Sequence, residues 1–444
     1  LKVGDFAVSD DPRVQAQLDR LDALSVPQGR LGLDTIRALL DRLGNPQRSL
    51  PPVFHVAGTN GKGSTCAFLR AALEAAGHRV HVFTSPHLVR FNERIRVAGT
   101  LISDEMLADL LAEVLDEAEA SGIGASFFEV STAAAFLAFA RIPAEACVIE
   151  VGLGGRFDAT NVIETPTVCG IASLGIDHEA FLLSPDPEAP KEPHIRIAFE
   201  KAGIAKAGAP LVTLDYNLGM NEAIDAKALQ VGTEVIRRTR DWSIGPTKSG
   251  FVYRDDKGSL SLPLPALAGK HQAVNAGLAI AMLRHQDALS VPDAALVAAM
   301  GSARWPARLQ RLGEGPLTAL LPSGTPCWLD GGHNPDAGKA LALHFRERRP
   351  HIHLVIGMLA NKNPNALIAP LADRLASVTV VPVPGHACHE ASAFDHIFTP
   401  EASAAGSVAE ALTRIEPAEG ECVLIAGSLY LAGSVLREND ELPD

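Results

Sequence analysis

The chain has 444 residues, too many for one ordinary core, so two domains are expected. Its 47% hydrophobic and 20% charged residues are the balance of a folded globular protein and argue against disorder. A net charge of −13 without a dense Lys/Arg track argues against nucleic acid, and no apolar run is long enough for a bilayer, so a cytoplasmic protein without membrane contact is expected.

Residues 11–26 and 34–43 carry apolar side chains at helical spacing, with Asp34 placed to cap the second segment. The stretch from Val53 to Thr65 then reads as a strand, a glycine-rich phosphate loop and a helix starting near Ser64. Gly58, Gly61 and Gly63 allow close backbone approach, so successive N–H groups can point into one concavity at the positive end of the helix dipole. Lys62 would reach terminal phosphates, and Ser64 or Thr65 would offer a hydroxyl near a magnesium ion. The spacing departs from the usual Walker pattern, and a plain glycine-rich turn is the alternative.

A strand at Val80 to Phe83 completes a βαβ unit, and the polar loop from Ser85 to Arg94 follows it. Helices are expected from Ser103 and over 127–139, and a buried strand over 146–151 delivers Glu150 to the turn Gly152-Leu153-Gly154-Gly155. That turn invites a dinucleotide reading, but Phe157 stands where a third glycine is needed. Further strands are expected at 168–173 and 210–214, with a helix from His194 between them. Proline and charge dominate 182–193, which reads as a solvent-exposed excursion whose removal would spare catalysis. A β-hairpin is expected over 251–264 and helices again from His271 and Asp293. Trp305-Pro306-Ala307-Arg308 interrupts the helical run, and a new strand/helix alternation follows, with strands at 327–329, 353–356, 378–383 and 423–426 and helices over 336–348, 366–375 and 408–415. The six scattered cysteines lack CxxC spacing and read as buried free thiols.

The fold class is therefore α/β: a P-loop-type ATP-binding domain with a mostly parallel sheet over 1–305, and a smaller Rossmann-like open-sheet domain over 306–444.

Ten stretches fall in one order along nearly the whole chain. They are Gly58-Thr59-Asn60-Gly61-Lys62-Gly63-Ser64, Thr84-Ser85-Pro86-His87-Leu88, Phe128-Glu129, Glu150 through Asp158, Asp177-His178, Glu200-Lys201-Ala202-Gly203, His271-Gln272 with Asn275-Ala276, Arg308, Asp330-Gly331-Gly332-His333-Asn334-Pro335 and Gly427-Ser428-Leu429-Tyr430. Together they resemble the folylpolyglutamate synthase/dihydrofolate synthase family, within the wider group of Mur ligases. The resemblance implies a monomeric ATP-dependent amide ligase. It would join L-glutamate to dihydropteroate, to a reduced folate or to both, through an acyl phosphate.

By that resemblance, Gly58, Thr59, Asn60, Gly61, Lys62, Gly63, Ser64 and Thr65 contact ATP together with Asn275, Arg308 and Asp330. Ser85, Glu150, His178 and Lys201 would hold magnesium at two sites, Lys201 as a carbamate. Lys62, Lys201, His178 and His333 take catalytic roles, and Phe127, Phe128, Arg94, His333 and Ser428 face the substrate. A joint near Pro306 would allow closure. Read without the resemblance, Lys201 is a surface lysine paired with Glu200, and Phe127 and Phe128 are core packing. A phosphotransferase without ligation, an ATP-binding regulatory module and a peptidoglycan-precursor ligase are the competing readings. Three departures stand out: Gly332 for a usual alanine, Ala307 for a usual glycine, and the length of 182–193.

Overall fold

A computed structural model of the chain describes residues 8–24, 32–177, 179–348, 351–394 and 401–444. The chain divides into two units, Leu1–Ala266 with Gln272–Arg304, and Leu267–His271 with Trp305–Asp444. The return of 267–271 to the second unit has no counterpart in the sequence pattern.

The first unit opens with α1 (Pro12–Asp22) and α2 (Asp34–Arg42). Asp34 is the first residue of α2, preceded by Leu33, and makes no side-chain cap. Next come β1 (Val53–Ala57), α3 (Lys62–Ala75), β2 (Val80–Phe83), β3 (Ile95–Val97), β4 (Thr100–Leu101), α4 (Asp104–Ala120), α5 (Phe127–Arg141) and β5 (Ala146–Glu150). The hydroxyl of Ser103 accepts from Met106 N and caps α4, while Ser126 and Glu129 exchange hydrogen bonds at the start of α5. The unit continues with β6 (Val168–Ile171), α6 (Glu179–Leu182), α7 (Pro193–Ala202), β7 (Leu211–Thr213), α8 (Leu218–Val231) and β8 (Val235–Arg237).

These strands form one sheet in the order β4-β3-β2-β5-β1-β6-β7-β8, parallel except where β3 meets β2 and β4. β1 lies between β5 and β6, so the loops after β1, β2, β5 and β6 share one edge, where α/β sheets build their sites. β1, β2, β5 and β6 are buried at every residue, as helices on both faces require.

β9 (Ser243–Pro246), β10 (Gly250–Asp255) and β11 (Gly258–Pro263) make a separate antiparallel sheet, and α9 (Lys270–Arg284) and α10 (Asp293–Ser302) follow. The second unit holds β12 (Gln310–Arg311), β13 (Cys327–Asp330), α11 (Pro335–Arg348), β14 (Ile352–Ile356), α12 (Asn365–Ile368), β15 (Leu375–Val380), β16 (Ser403–Ala404), α13 (Val408–Arg414), β17 (Cys422–Ala426) and α14 (Leu429–Glu438). Its sheet runs β12-β13-β17-β14-β15-β16, antiparallel only at β12. The helix expected over 366–375 is cut short at Ile368 and continues as a 3-10 turn, because Pro370 removes a backbone donor. All six cysteines are free, and five of them are buried. Among the described residues, no helix is long and apolar enough to cross a membrane.

One polar side chain inside β1 makes stability depend on pH. His55 is fully buried with its Nε2 2.9 Å from Thr160 Oγ1, and burial, helped by the Lys206 charge, pushes its imidazole down to about 3. As pH falls below 6.5 the unfolded chain takes up a proton that the folded chain refuses until about 3, so stability is lost across that window. The expected loss between pH 7 and pH 4 is on the order of 3 kcal/mol. Urea unfolding of wild type and His55→Gln across that range checks this: the variant should have a shallower pH slope, and equal slopes would refute it.

Candidate active site

The phosphate loop is held by the neighbouring strand rather than by itself. Thr59 N and Asn60 N donate to Ser173 O at 2.8 and 3.2 Å, just beyond β6, and the Thr59 hydroxyl exchanges bonds with the backbone of Gly175. Those two N–H groups, expected to face phosphate, are therefore already used. What remains is the start of α3, where the first N–H groups have no partner within the helix and Gly61 offers no side-chain cap. Gly61 sits at φ +84°, and a Cβ there would lie 2.5 Å from Asn275 Oδ1, so both backbone and space demand glycine. Asn275, on α9 in the first unit, thus lies directly against the loop, its amide donating to Gln272 Oε1 at 3.0 Å. Thr65 spends its hydroxyl on Gly61 O at 2.8 Å, which leaves Ser64 as the better placed of the two hydroxyls expected near a metal.

Lys62 Nζ is 3.5 Å from Thr59 O and 4.0 Å from Glu150 Oε1. Glu150, at the end of β5, is 4% exposed and accepts from Ser85 N at 3.3 Å. One edge of the sheet therefore gathers Lys62, Ser85 and Glu150. Lys201 joins them from α7: it is 4% exposed, and burial first, then the charge of Lys62, pushes its amine down to about 7 against the pull of Asp158, Asp177 and Glu200. A surface lysine is excluded by that burial. His178 lies outside the described residues.

The glycine turn after β5 seats the end of α7 rather than a dinucleotide. A Cβ on Gly155 would lie 2.8 Å from Glu200 O and 3.0 Å from Lys201 O, and one on Gly203 would lie 2.4 Å from Arg156 Cα. Arg156 N donates to Glu200 O at 2.8 Å, and Asn161 Nδ2 bridges Arg156 O and Gly203 O at 3.0 and 3.1 Å. Asp158 locks the turn by accepting from Leu153 N, Thr160 N and the Thr160 hydroxyl; burial nevertheless pushes its carboxyl up.

On the expected substrate side, Phe127 and Phe128 are half-buried at the start of α5. Phe127 meets the edge of Phe91 at 5.9 Å, and Phe128 lies over the glycine turn, where a Cβ on Gly152 would come within 2.4 Å of its ring. Arg94 departs from expectation. It is 1% exposed, stands 5.3 Å from the ring centres of both Phe91 and Phe127, and donates to His87 Nδ1 at 2.8 Å. Such a residue orients the aromatic wall and does not itself reach into solvent. His87 falls within a stretch that carries the resemblance; Phe91, in the same loop, was not singled out, though an aromatic ring there was the available signal.

In the second unit, Asp330 accepts from Leu309 N at 2.8 Å and from Gly332 N at 2.7 Å, so it ties the Arg308 loop to the turn carrying His333. Arg308 donates to Ala307 O at 3.0 Å, between Ala307 at φ +54° and Leu309 at φ +45°. The left-handed backbone at Ala307 explains why glycine suits that place, and an alanine there stores about 1 kcal/mol of strain. Nδ1 of His333 is 3.1 Å from Gly331 O, and Ser428, 3% exposed, caps α14 by accepting from Tyr430 N at 3.1 Å. A separate group with metal-ligand spacing, Asp255, Asp256 and His285, has its Asp255 oxygens engaged by Arg284 at 2.8 and 3.1 Å.

Residues 317–438 match the family model described as dihydrofolate synthetase, C-terminal domain. The chain is 34% identical to the dihydrofolate synthase/folylpolyglutamate synthase of Bacillus subtilis, over 94% of this chain and 98% of that one. It is 33% identical to the folylpolyglutamate synthase of Lacticaseibacillus casei, over 90% and 92% of the two. A solved structure of E. coli FolC in complex with DHPP and ADP is similar with a TM-score of 0.83 at 31% identity, covering 96% of this chain and 97% of that one. Identity at that level, sustained across nearly the whole of both sequences on a shared fold, means that the chain belongs to the folylpolyglutamate synthase/dihydrofolate synthase family of Mur ligases.

Proposed function

We propose that the protein is an ATP-dependent ligase that adds L-glutamate both to dihydropteroate and to reduced folates. The observation that carries the reading is the convergence, on one sheet edge, of a phosphate loop, the buried carboxylate of Glu150 and the buried amine of Lys201. A phosphotransferase alone has no use for the last of these. Family membership supports the choice of glutamate and folate, and among the relatives both bifunctional and single-activity names occur.

The chemistry follows from charge. The substrate carboxylate attacks the γ-phosphorus of ATP, the bond to the β-phosphate oxygen breaks, and ADP and an acyl phosphate form. The amine of glutamate then attacks the acyl carbon, loses a proton, and phosphate departs with its bonding pair. Each species is an anion, so the protein's task is to supply aligned donors and cations. The free N–H groups of α3 and the ammonium of Lys62 meet the terminal phosphates. Ser64 and the loop Gly58 to Thr65 set their position, with Asn275 packed behind Gly61.

Hard oxygen donors, the Ser85 hydroxyl and the Glu150 carboxylate beside the loop, fit magnesium, and His178 keeps the ligand role the family resemblance implies. When bound, magnesium neutralises phosphate oxygens. Lys201 is proposed to carry a carbamate: its neutral amine attacks carbon dioxide, releases one proton, and becomes an anion suited to a second metal position. Burial and the neighbouring charge of Lys62 support this, because a permanent ammonium is poorly served there. Phe127, held by Arg94, and Phe128 form an aromatic wall for the pterin, and Arg308, Asp330, His333 and Ser428 keep the nucleotide and glutamate roles the family resemblance implies.

The test offers the purified protein ATP, magnesium and glutamate with dihydropteroate and tetrahydrofolate separately, and reads ADP release and product mass. Glutamate added to both is the expected result. Addition to one alone reduces the protein to a single activity, and addition to neither, with ATP intact or a phosphorylated acceptor, overturns the ligase.

A further inference from the structure

The proline-rich stretch 182–193 is exposed over much of its length, as its composition suggests, but it is anchored at Leu182 and Asp186. Its Leu182 is 5% exposed and packs against the glycine turn, where a Cβ on Gly154 would lie 2.9 Å from its methyl carbon. The side chain of Asp186 is 2% exposed. Its carboxylate meets Arg156 of the glycine turn in a close ion pair and stands 3.7 Å from Arg196 of α7.

The same two arginines converge on Glu200, Arg156 at 3.0 Å and Arg196 at 3.1 Å, so two cations and two anions alternate in one buried cluster. Arg196 also donates to Leu182 O at 3.0 Å and to Ser184 O at 3.4 Å, which ties the stretch to α7 at its backbone as well. The arginine side chains are 14% and 7% exposed, so water screens these pairs weakly and each charge depends on its neighbours.

We infer that Asp186 is a positioning residue for Lys201, acting through Arg156, Arg196 and Glu200 to hold the last turn of α7 against the glycine turn. Lys201 follows Glu200 directly, and the backbone carbonyls of both face Gly155 without an intervening side chain. Any shift of that helix end therefore moves the lysine. Without the Asp186 charge, two buried arginines share one carboxylate, Glu200 is drawn toward whichever pairs better, and the stretch loses its anchor. The expected consequence is a Lys201 amine that leaves its seat while the phosphate loop, on β1 and α3, stays in place.

The proposed consequence for turnover rests on the role of Lys201 given above, and the experiment separates the two. Folded Asp186→Asn, Asp186→Glu and the control Glu188→Gln are pulse-labelled with acetic anhydride in carbon-dioxide-free buffer, and modification of Lys201 is read by mass spectrometry. Asp186→Asn should label at least fivefold faster than wild type, Asp186→Glu by an intermediate factor, and Glu188→Gln at the wild-type rate. In the ligation assay, Asp186→Asn should lower kcat at least tenfold with KM for ATP within threefold. Wild-type labelling of Lys201 in Asp186→Asn overturns the inference; if that variant does not fold, wild-type labelling in Asp186→Glu does so. A wild-type protein that ligates nothing would sink the ligase reading while the labelling comparison still decides the role of Asp186.

Discussion

Replacing Lys62 with alanine should lower kcat on the order of a hundredfold or more, because it removes the cation that tracks charge on the transferring phosphate. The position supports a large effect: the ammonium stands 3.5 Å from Thr59 O at the loop and 4.0 Å from Glu150, at the head of α3. Its side chain is 17% exposed, so bulk water and salt cannot replace it well. The loop itself should survive, since Thr59 and Asn60 are pinned to Ser173 and Thr65 to Gly61 independently of the lysine. Steady-state turnover on a variant with a wild-type circular dichroism spectrum measures this, and near-normal kcat would remove the phosphate-loop assignment.

Lys201→Ala is expected to lose activity on a similar scale, on the order of a hundredfold, and to regain part of it when formate or acetate is added. The reasoning is that the side chain serves as an anion, so a small free carboxylate can occupy the space it leaves. In the wild type, carbon-13 bicarbonate should produce a carbamate carbon signal that is missing in Lys201→Ala. Carboxylate rescue without that signal would point to a different anion at the site, and an unaffected variant would end the assignment.

The two lysines differ in how far their proposed roles could be read from the chain. Lys62 was legible because strand, glycines, lysine and hydroxyl residues follow one another within a dozen positions, and a helix dipole and a turn are local objects. Lys201 had no such local signature: taken alone, Glu200-Lys201 reads as a solvent-facing pair. Only its order among distant motifs marked it, and only the fold buries it. The element pattern was likewise readable where periodicity was strong. It failed at Pro370, and it did not register α8 and β8, whose apolar residues give no clean face.

What the sequence by itself determined is the set of local decisions: an α/β chain, a glycine loop opening a helix, a hairpin at Asp255 to Gly258, caps at Ser103 and Ser126. Tertiary structure alone decided where the charges lie. It set Asn275 against Gly61, turned Arg94 inward between two rings, committed Asp330 to two backbone donors, and drew Asp186 from a proline-rich surface stretch into a buried ion cluster. The physical reason is range. Backbone hydrogen bonds, caps and turn preferences act within a few residues, so a sequence displays them directly. The energy of a charge depends on which groups and how much water surround it, and those neighbours come from segments far apart in the chain that only folding brings together.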